Sequence, residues 1–190
     1  MLAAHAARLL AIATMALIPA ACAHSSSASG THGTLLTPAP PAKTFALPAT
    51  SGRRFDLAQS RGRLVVLYFG FTHCKDTCPL TLTHIDAAIR AAHVPSVRAV
   101  FVTVDPQRDT LASERSFFTR SDVRAIGVAG TRAQLAPIWK AYGVSAQRQK
   151  HDIAHSDYIY LVDAEGRFRE VLHADVSIAD LASDLRALAS

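Results

Sequence analysis

Residues 64–82, LVVLYFGFTHCKDTCPLTL, are the stretch from which the rest of this sequence can be interpreted. The run 64–71 is apolar and rich in β-branched and aromatic residues, which is typical of a strand buried on both faces. Cys74 and Cys78 follow, and Pro79 then precedes apolar residues at helical spacing. Because proline is tolerated in the first turn of a helix, the sequence predicts that both thiols lie between a central strand and a helix N-terminus.

This position determines the chemistry that we expect of the two cysteines. Free N–H groups and the dipole at a helix N-terminus stabilise the thiolate, the form that binds metals and attacks disulfides. The two sulfurs can bind one metal ion together, and they can close a Cys74–Cys78 disulfide if their Cα atoms lie within about 7 Å. A purely structural disulfide is a further alternative, although so small a loop stabilises less than a longer cross-link.

The composition is that of one ordinary domain with a tail. The chain has 190 residues, of which 49% are hydrophobic, and this is enough for a buried core. Its formal net charge of +5 comes from basic residues scattered along the sequence. Lys and Arg are not clustered with interleaved aromatic residues, so we exclude nucleic acid as a partner.

Residues 1–21 have the layout of an export signal. Arg8 precedes the apolar segment 9–18, and the small residues 20–21 come directly before Cys22. This is similar to a bacterial lipoprotein cleavage site and predicts a mature protein that begins at lipid-modified Cys22, in the periplasm or on the outer face of the cytoplasmic membrane. Lipidation would also use the odd cysteine of the three. The alternative is an ordinary signal peptide cut near Ala21 or Ala23, in which Cys22 has no special role.

A linker is predicted over residues 22–43, because they are rich in Ser, Ala, Gly, Thr and Pro and show little periodicity. His24 and His32 lie in it, and we interpret both as solvated side chains. The predicted domain then occupies residues 44–190.

Strand and helix patterns alternate within this domain. The predicted strands are 45–47, 55–57, 64–71, 97–104, 124–128, 158–163 and 168–173. The predicted helices are 79–92, 110–118, 131–142 (with Thr131 as its cap) and 177–189. No regular element is predicted for the polar stretch 145–157. The order indicates an α/β fold with a mixed central sheet flanked by helices.

Thiols directly after the first core strand make the thioredoxin-like fold the natural candidate. Thioredoxins carry CxxC, and a cis-proline precedes the later strand that faces the pair. Here the spacing is CxxxC, and residues 154–157, AHSD, occupy the place of that proline. A potential metal ligand therefore stands where a disulfide enzyme would have proline.

Two thiolates and one imidazole form a good site for Cu(I) and an adequate one for Zn(II). His151 and His155 both precede the strand 158–163, and His155 is the nearer. The residues alone leave the choice between them open. His73 adjoins Cys74, and because neighbouring side chains usually point apart we interpret it as a non-ligand.

Three segments resemble the Sco/SenC family of copper chaperones. They are FTHCKDTCPLTL (71–82), VDPQRDT (104–110) and HSDYIYLVDAEG (155–166), and the resemblance covers about residues 44–189. It implies a thioredoxin-like fold, anchoring to a membrane by a helix or a lipid, and a part in supplying copper to cytochrome c oxidase.

The resemblance also implies roles for single residues. The family binds its metal through both cysteines and a distant histidine, and these roles fall on Cys74, Cys78 and His155. Lys75 stands where the family often has proline; it is no ligand, but its cation could stabilise a thiolate. Asp76 corresponds to a recurrent acid of the family, and we expect it to accept backbone N–H bonds and so order the loop.

Two functions follow from these residues. The first is a copper chaperone, not an enzyme, that delivers a copper ion to the copper-bearing subunit of cytochrome c oxidase or to another cuproprotein. The alternative is a thiol–disulfide oxidoreductase in which Cys74 and Cys78 are the catalytic pair and the clients are cysteines of apo-oxidase or another exported protein. A peroxidase is disfavoured, because VDPQRDT offers no arrangement for activating peroxide. We expect Asp105, Arg108 and Asp109 to brace the cysteine loop.

Overall fold

The computed structural model of the protein describes residues 31–149 and 153–189. Its centre is a six-stranded mixed sheet with the order β1-β10-β9-β4-β5-β6, and β2–β3 and β7–β8 form separate two-stranded sheets. The strands are β1 (Thr34–Leu35), β2 (Ala46–Pro48), β3 (Arg54–Asp56), β4 (Leu64–Gly70), β5 (Val97–Thr103), β6 (Ile126–Val128), β7 (Ala146–Arg148), β8 (Ile153–His155), β9 (Tyr158–Val162) and β10 (Phe168–His173). The helices are α1 (Thr77–Ala92), α2 (Leu111–Ser121), α3 (Arg132–Ala141) and α4 (Ile178–Ala189).

Strand β4 is the centre of the sheet, and all seven of its residues are buried. Successive side chains of a strand point to opposite faces. The Tyr68 ring accordingly lies 6.2 Å from Phe101, which packs 5.7 Å from Phe118 of α2, whereas the Phe69 ring lies 5.6 Å from Tyr142 at the end of α3. Helices thus cover both faces, which confirms the predicted α/β fold with a mixed central sheet.

The carboxyl ends of the central strands meet at one edge of the sheet. Strand β4 pairs parallel with β5, and β5 pairs parallel with β6. The cysteine loop and the start of α1 follow β4 at this edge, and α1 begins at Thr77, two residues before Pro79. Thr110 and Thr131 each accept a backbone N–H at the start of α2 and α3, so the predicted cap at Thr131 is confirmed.

We predicted no regular structure for residues 145–157, and this prediction is wrong. Strands β7 and β8 pair as an antiparallel hairpin within this stretch, with Ala146 opposite His155. Two of the three residues of β7 are exposed, so the hairpin buries too little apolar surface to leave an alternating pattern in the sequence.

Part of the predicted linker belongs to the domain. Strand β1 pairs with β10 and forms the edge of the sheet, and the Phe168 N–H donates to the Pro40 carbonyl at 2.8 Å. His32 is not simply solvated, because its Nδ1 lies 2.8 Å from an Asp184 carboxylate oxygen, a contact that raises the pKa of the imidazole. The sequence signal was weak because both residues of β1 are exposed.

Several predictions fall on residues outside the described ranges. These are the export signal 1–21, lipid-modified Cys22, His24 and His151. Of the helices within residues 31–149 and 153–189, none is both long and apolar enough to cross a membrane.

Candidate metal site

Cys74 lies at the N-terminus of α1, as the sequence predicts. It is half-buried, and its Sγ accepts the backbone N–H of Cys78 at 3.2 Å. A hydrogen bond from the Cys78 thiol, followed by backbone N–H groups of Cys78, Asp76 and Thr77, lowers the pKa of Cys74 to about 6, although partial burial opposes the shift. Cys74 is therefore largely thiolate at neutral pH.

Cys78 is its buried counterpart. Its side chain is inaccessible to solvent, and its hydrogen bond to Cys74, burial and the negative charge of Cys74 all raise the pKa of its thiol. A Cβ added at Gly70 would lie 3.2 Å from the Cys78 sulfur and 2.8 Å from the Phe101 ring, so only glycine lets β4 pass so close to this thiol. The pair combines one accessible thiolate with one protected thiol, and both are free in this structure.

The structure brings His155 to the cysteines. Its Nε2 lies 3.9 Å from the Cys78 sulfur, although the residues are 77 positions apart in sequence. Its Nδ1 lies 2.8 Å from the Ser156 carbonyl oxygen, which can only accept, so Nδ1 carries the proton. With the Nδ1 hydrogen bond made in this way, Nε2 is the ring nitrogen that faces the sulfur, the orientation that a metal-binding imidazole requires.

The hairpin that carries His155 is held in place at several points. The Tyr68 hydroxyl of β4 donates to Asp157 at 3.1 Å, and the Ser145 N–H donates to the Ser156 hydroxyl at 2.9 Å. The Phe71 ring meets the imidazole edge-on at a centroid distance of 5.7 Å. These contacts fix the ring beside the cysteine loop.

Asp105 joins this hairpin to the end of β5. Its buried carboxylate pairs with Arg148 of β7 and with Arg108, whose guanidinium lies 5.9 Å from the Phe71 ring centroid. Burial alone would raise the pKa of Asp105, but the hydrogen bonds from the two arginines outweigh it and hold this pKa below its usual value.

Asp109 braces the cysteine loop, as we predicted from the sequence. It accepts the Thr72 hydroxyl and the Thr103 hydroxyl at 2.6 Å each, and it also accepts the Thr72 backbone N–H. The loop is therefore attached to the end of β5 two residues before Cys74.

The three predicted ligands converge without yet enclosing an ion. Metal–ligand distances of about 2.0–2.3 Å would place the ligand atoms within about 4 Å of one another. The two cysteine sulfurs and a ring nitrogen of His155 do not all lie within 4.8 Å of one another.

A different group does satisfy that limit, namely His73, Asp105 and Asp109. Both carboxylates already have arginine or hydroxyl partners, and His73 is half exposed with its Nδ1 3.6 Å from Asp109. The group is accordingly a hydrogen-bonding network of the loop. That His73 is no ligand stays a prediction.

Sequence reasoning missed or misjudged some residues around the site. Asp76 precedes α1, but its side chain forms no capping hydrogen bond; the Cys74 sulfur accepts the nearby N–H instead. Tyr68, Arg148 and Asp157 gave no signal, because their roles depend on contacts between residues 43 to 89 positions apart. His151 lies outside the described residues.

Comparisons with known proteins show to which family the sequence belongs. The SCO1/SenC family model matches residues 35–190. The bovine mitochondrial SCO2 homologue is 35% identical over 136 residues, which cover 66% of this chain but only 51% of that protein. A SCO2-like protein from Rickettsia prowazekii is 30% identical over 146 residues, which cover 72% of this chain and 71% of the relative.

Solved structures of relatives show the same fold. Copper-bound ScoI from Bradyrhizobium japonicum is 30% identical with a TM-score of 0.70, and the match covers 78% of this chain and 99% of that one. Copper-bound ScoI from Arabidopsis thaliana is 28% identical with a TM-score of 0.71, covering 77% and 96%. The predicted thioredoxin-like fold is thereby confirmed. With the family model matching most of its length, the chain belongs to the SCO1/SenC family.

Proposed function

We propose that this protein is a copper chaperone that binds one copper ion through Cys74, Cys78 and His155. The observation that carries the proposal is the approach of His155 Nε2 to within 3.9 Å of the Cys78 sulfur from a distant hairpin. Thiolate and imidazole ligands suit copper, and the two ScoI proteins to which this chain is similar have been solved with copper bound.

The arrangement also suits transfer of the ion. The Cys74 sulfur is half-buried and already favours the thiolate, so it can bind copper without a large cost of deprotonation. It is also accessible to the ligands of a partner, which ligand exchange requires. We infer that the client is the copper-bearing subunit of cytochrome c oxidase or another cuproprotein.

We predict that the reduced protein binds one copper ion and that the oxidised protein binds none. A disulfide sulfur is a poor ligand compared with a thiolate, so closure of the Cys74–Cys78 bond removes two of the three ligands. Anaerobic titration with Cu(I), followed by metal analysis and thiol counting after desalting, checks this. Equal copper retention by both forms would contradict the proposal.

A second function, thiol–disulfide exchange, is favoured by the opposite pKa shifts of the two thiols. The Cys74 thiolate would attack a client disulfide and form a mixed disulfide, releasing one client thiolate. The buried Cys78, once deprotonated, would then attack Cys74 and release the second client thiolate, leaving the client reduced and the pair oxidised. An external dithiol reductant would have to return the pair to the reduced state.

We further propose that the protein is exported and held on the outer face of the membrane by a lipid on Cys22, with residues 22–30 as the tether. Cell fractionation of a Cys22→Ser variant is expected to show unprocessed precursor or release from the membrane. Normal processing and membrane retention of the variant would favour the ordinary signal peptide instead.

A further inference from the structure

Five arginines gather at the end of the domain opposite the cysteines, although they are scattered in sequence. Arg63 directly precedes β4, Arg98 lies in β5 opposite Val65, and Arg124 lies two residues before the start of β6. Arg53, in the turn before β3, and Arg54, the first residue of β3, lie beside them. We call these five residues the arginine face. A strand of seven residues separates it by about 20 Å from the cysteine edge.

The arginine face contains two adjoining concavities that meet at Arg98. One has a volume of about 470 Å³ and is lined by Arg53, Arg54 and Arg98. The other has a volume of about 380 Å³ and is lined by Arg98 and Arg124. Arg98 is half-buried between them and the other four arginines are exposed, so the face offers several guanidinium groups across an open surface.

Little negative charge balances this face. In the described part of the chain, Arg53, Arg63 and Arg98 take part in none of the ion pairs, and the Asp86 carboxylate 3.9 Å from Arg124 also pairs with Arg90. Asp56 lines the first concavity and adds one negative charge there, against the positive charges of Arg53, Arg54 and Arg98 that line the same concavity.

The charge of Arg98 in particular is unfavourable to the fold. Burial and then the charges of Arg63 and Arg53 lower the pKa of Arg98, which means that the cation is placed unfavourably. Arg98 is the second residue of β5, and its neighbours in the strand, Val97 and Ala99, are apolar. Neither packing against them nor an ion pair within the described residues explains a guanidinium at this position. A ligand with negative charge would relieve this repulsion.

We propose that the arginine face docks on the phosphate groups of an anionic phospholipid bilayer. Guanidinium groups bind phosphate oxygens in pairs of hydrogen bonds, and a spread of five of them suits a surface of repeated phosphates better than a single small anion. The length of the proposed tether allows this choice, although β1 runs from the level of Leu67 towards the amino end of β4, so that the tether joins the domain on the side nearer the cysteines. Residue 31 follows Cys22 by nine positions, so a lipid at Cys22 would keep the start of the domain within about 30 Å of the bilayer, a longer distance than the span of β4 of about 20 Å.

Docking by this face would orient the metal site. The amino ends of β4, β5 and β6 would face the lipid, and the carboxyl ends with Cys74 would point away from it, open to a partner. The proposal does not require that the protein bind copper, so its failure and that of the copper proposal are separately detectable.

The test uses the full chain and vesicles of phosphatidylcholine alone or mixed with phosphatidylglycerol. The parent chain is expected to bind the mixed vesicles more tightly, with a difference that salt abolishes. The double variant Arg53→Gln/Arg98→Gln should bind mixed vesicles about 25-fold more weakly, at about fivefold for each arginine near the surface. The charge-matched control Lys75→Gln/Arg132→Gln, at the cysteine end, should differ from the parent by less than about twofold.

Other outcomes would overturn the proposal. Equal binding of the parent chain to both kinds of vesicle, or equal weakening by both double variants, would show that the arginine face has no specific part. Saturable binding of inorganic phosphate at the face without preference for mixed vesicles would assign it to a free anion, and binding only to an acidic protein would assign it to a protein partner. If the Arg53/Arg98 variant misfolds by circular dichroism, the salt dependence of the parent chain decides.

Discussion

Replacing His155 with alanine is expected to weaken copper binding by at least about 100-fold while leaving the Cys74–Cys78 pair reducible. Loss of a group that only hydrogen-bonds to a metal ligand lowers metal affinity about 10–100-fold, and His155 is proposed as a direct ligand. Thiol–disulfide exchange needs only an attacking and a resolving sulfur, so the same change should leave the disulfide reductase rate close to that of the parent chain.

The measurement compares variants for Cu(I) retention against a competing chelator, for disulfide reductase turnover and for oxidase activity in cells. His173→Ala is the matched control, because the His173 side chain is exposed, hydrogen-bonds with Asp175 and meets the Tyr158 ring edge-on at a centroid distance of 5.6 Å. From the sequence we also expect His151→Ala to be nearly silent. If His155→Ala assembles oxidase normally while Cys74→Ser does not, copper delivery through these ligands is not the main function, and the reductase takes its place.

The sequence predicted the parts of the molecule whose signal is local. The sequence predicts a buried strand at residues 64–71, because their side chains are apolar on both faces. It predicts Thr131 as a helix cap, because a hydroxyl just before an apolar helical pattern accepts free N–H groups. The sequence also predicts that Cys74 lies at a helix N-terminus, because Pro79 indicates the first turn of a helix.

The parts that sequence did not predict depend on partners distant along the chain. The ion pair between Arg148 and Asp105 holds the hairpin β7–β8 in place. Backbone pairing with β10 holds β1 in place. The arginine face is a further case, because its members are up to 71 positions apart between Arg53 and Arg124 and meet only when β4, β5 and β6 align. A short stretch of sequence contains no signal for contacts between residues that are this far apart along the chain.

Glu114 is another residue whose state depends on distant contacts. It lies in the first turn of α2 with no exposed surface, and neither of its carboxylate oxygens has a hydrogen-bond partner within the described residues. It packs so closely against Gly127 of β6 that a Cβ there would clash with it. Burial, and then the negative charge of Asp109, raise the pKa of Glu114 to about 8, so the carboxyl is mainly protonated at neutral pH.

Stability should therefore fall as the pH rises. The pKa of Glu114 is about 8 in the folded state against 4.5 as the ordinary value, so the folded protein holds this proton more strongly than the unfolded chain does. The resulting stabilisation is complete below pH 4.5 and is lost as the pH rises through about 8. Glu170, which is buried beside Asp184 with a pKa raised to about 7, adds a change of the same sign.

We predict that Glu114→Gln stabilises the protein at alkaline pH and has little effect at pH values below the ordinary range of glutamate. Glutamine has the shape of the protonated acid and cannot ionise, so the variant escapes a cost on the order of 4 kcal/mol above pH 8. For a chain of this size, that corresponds to a rise in Tm of about 10 °C. Thermal unfolding of both proteins at several pH values checks the prediction, with Glu165→Gln on an exposed turn as the control that should change Tm little throughout. A Glu114→Gln variant that is less stable than the parent at every pH would mean that the carboxylate is ionised in the folded protein, with a partner that the charge requires.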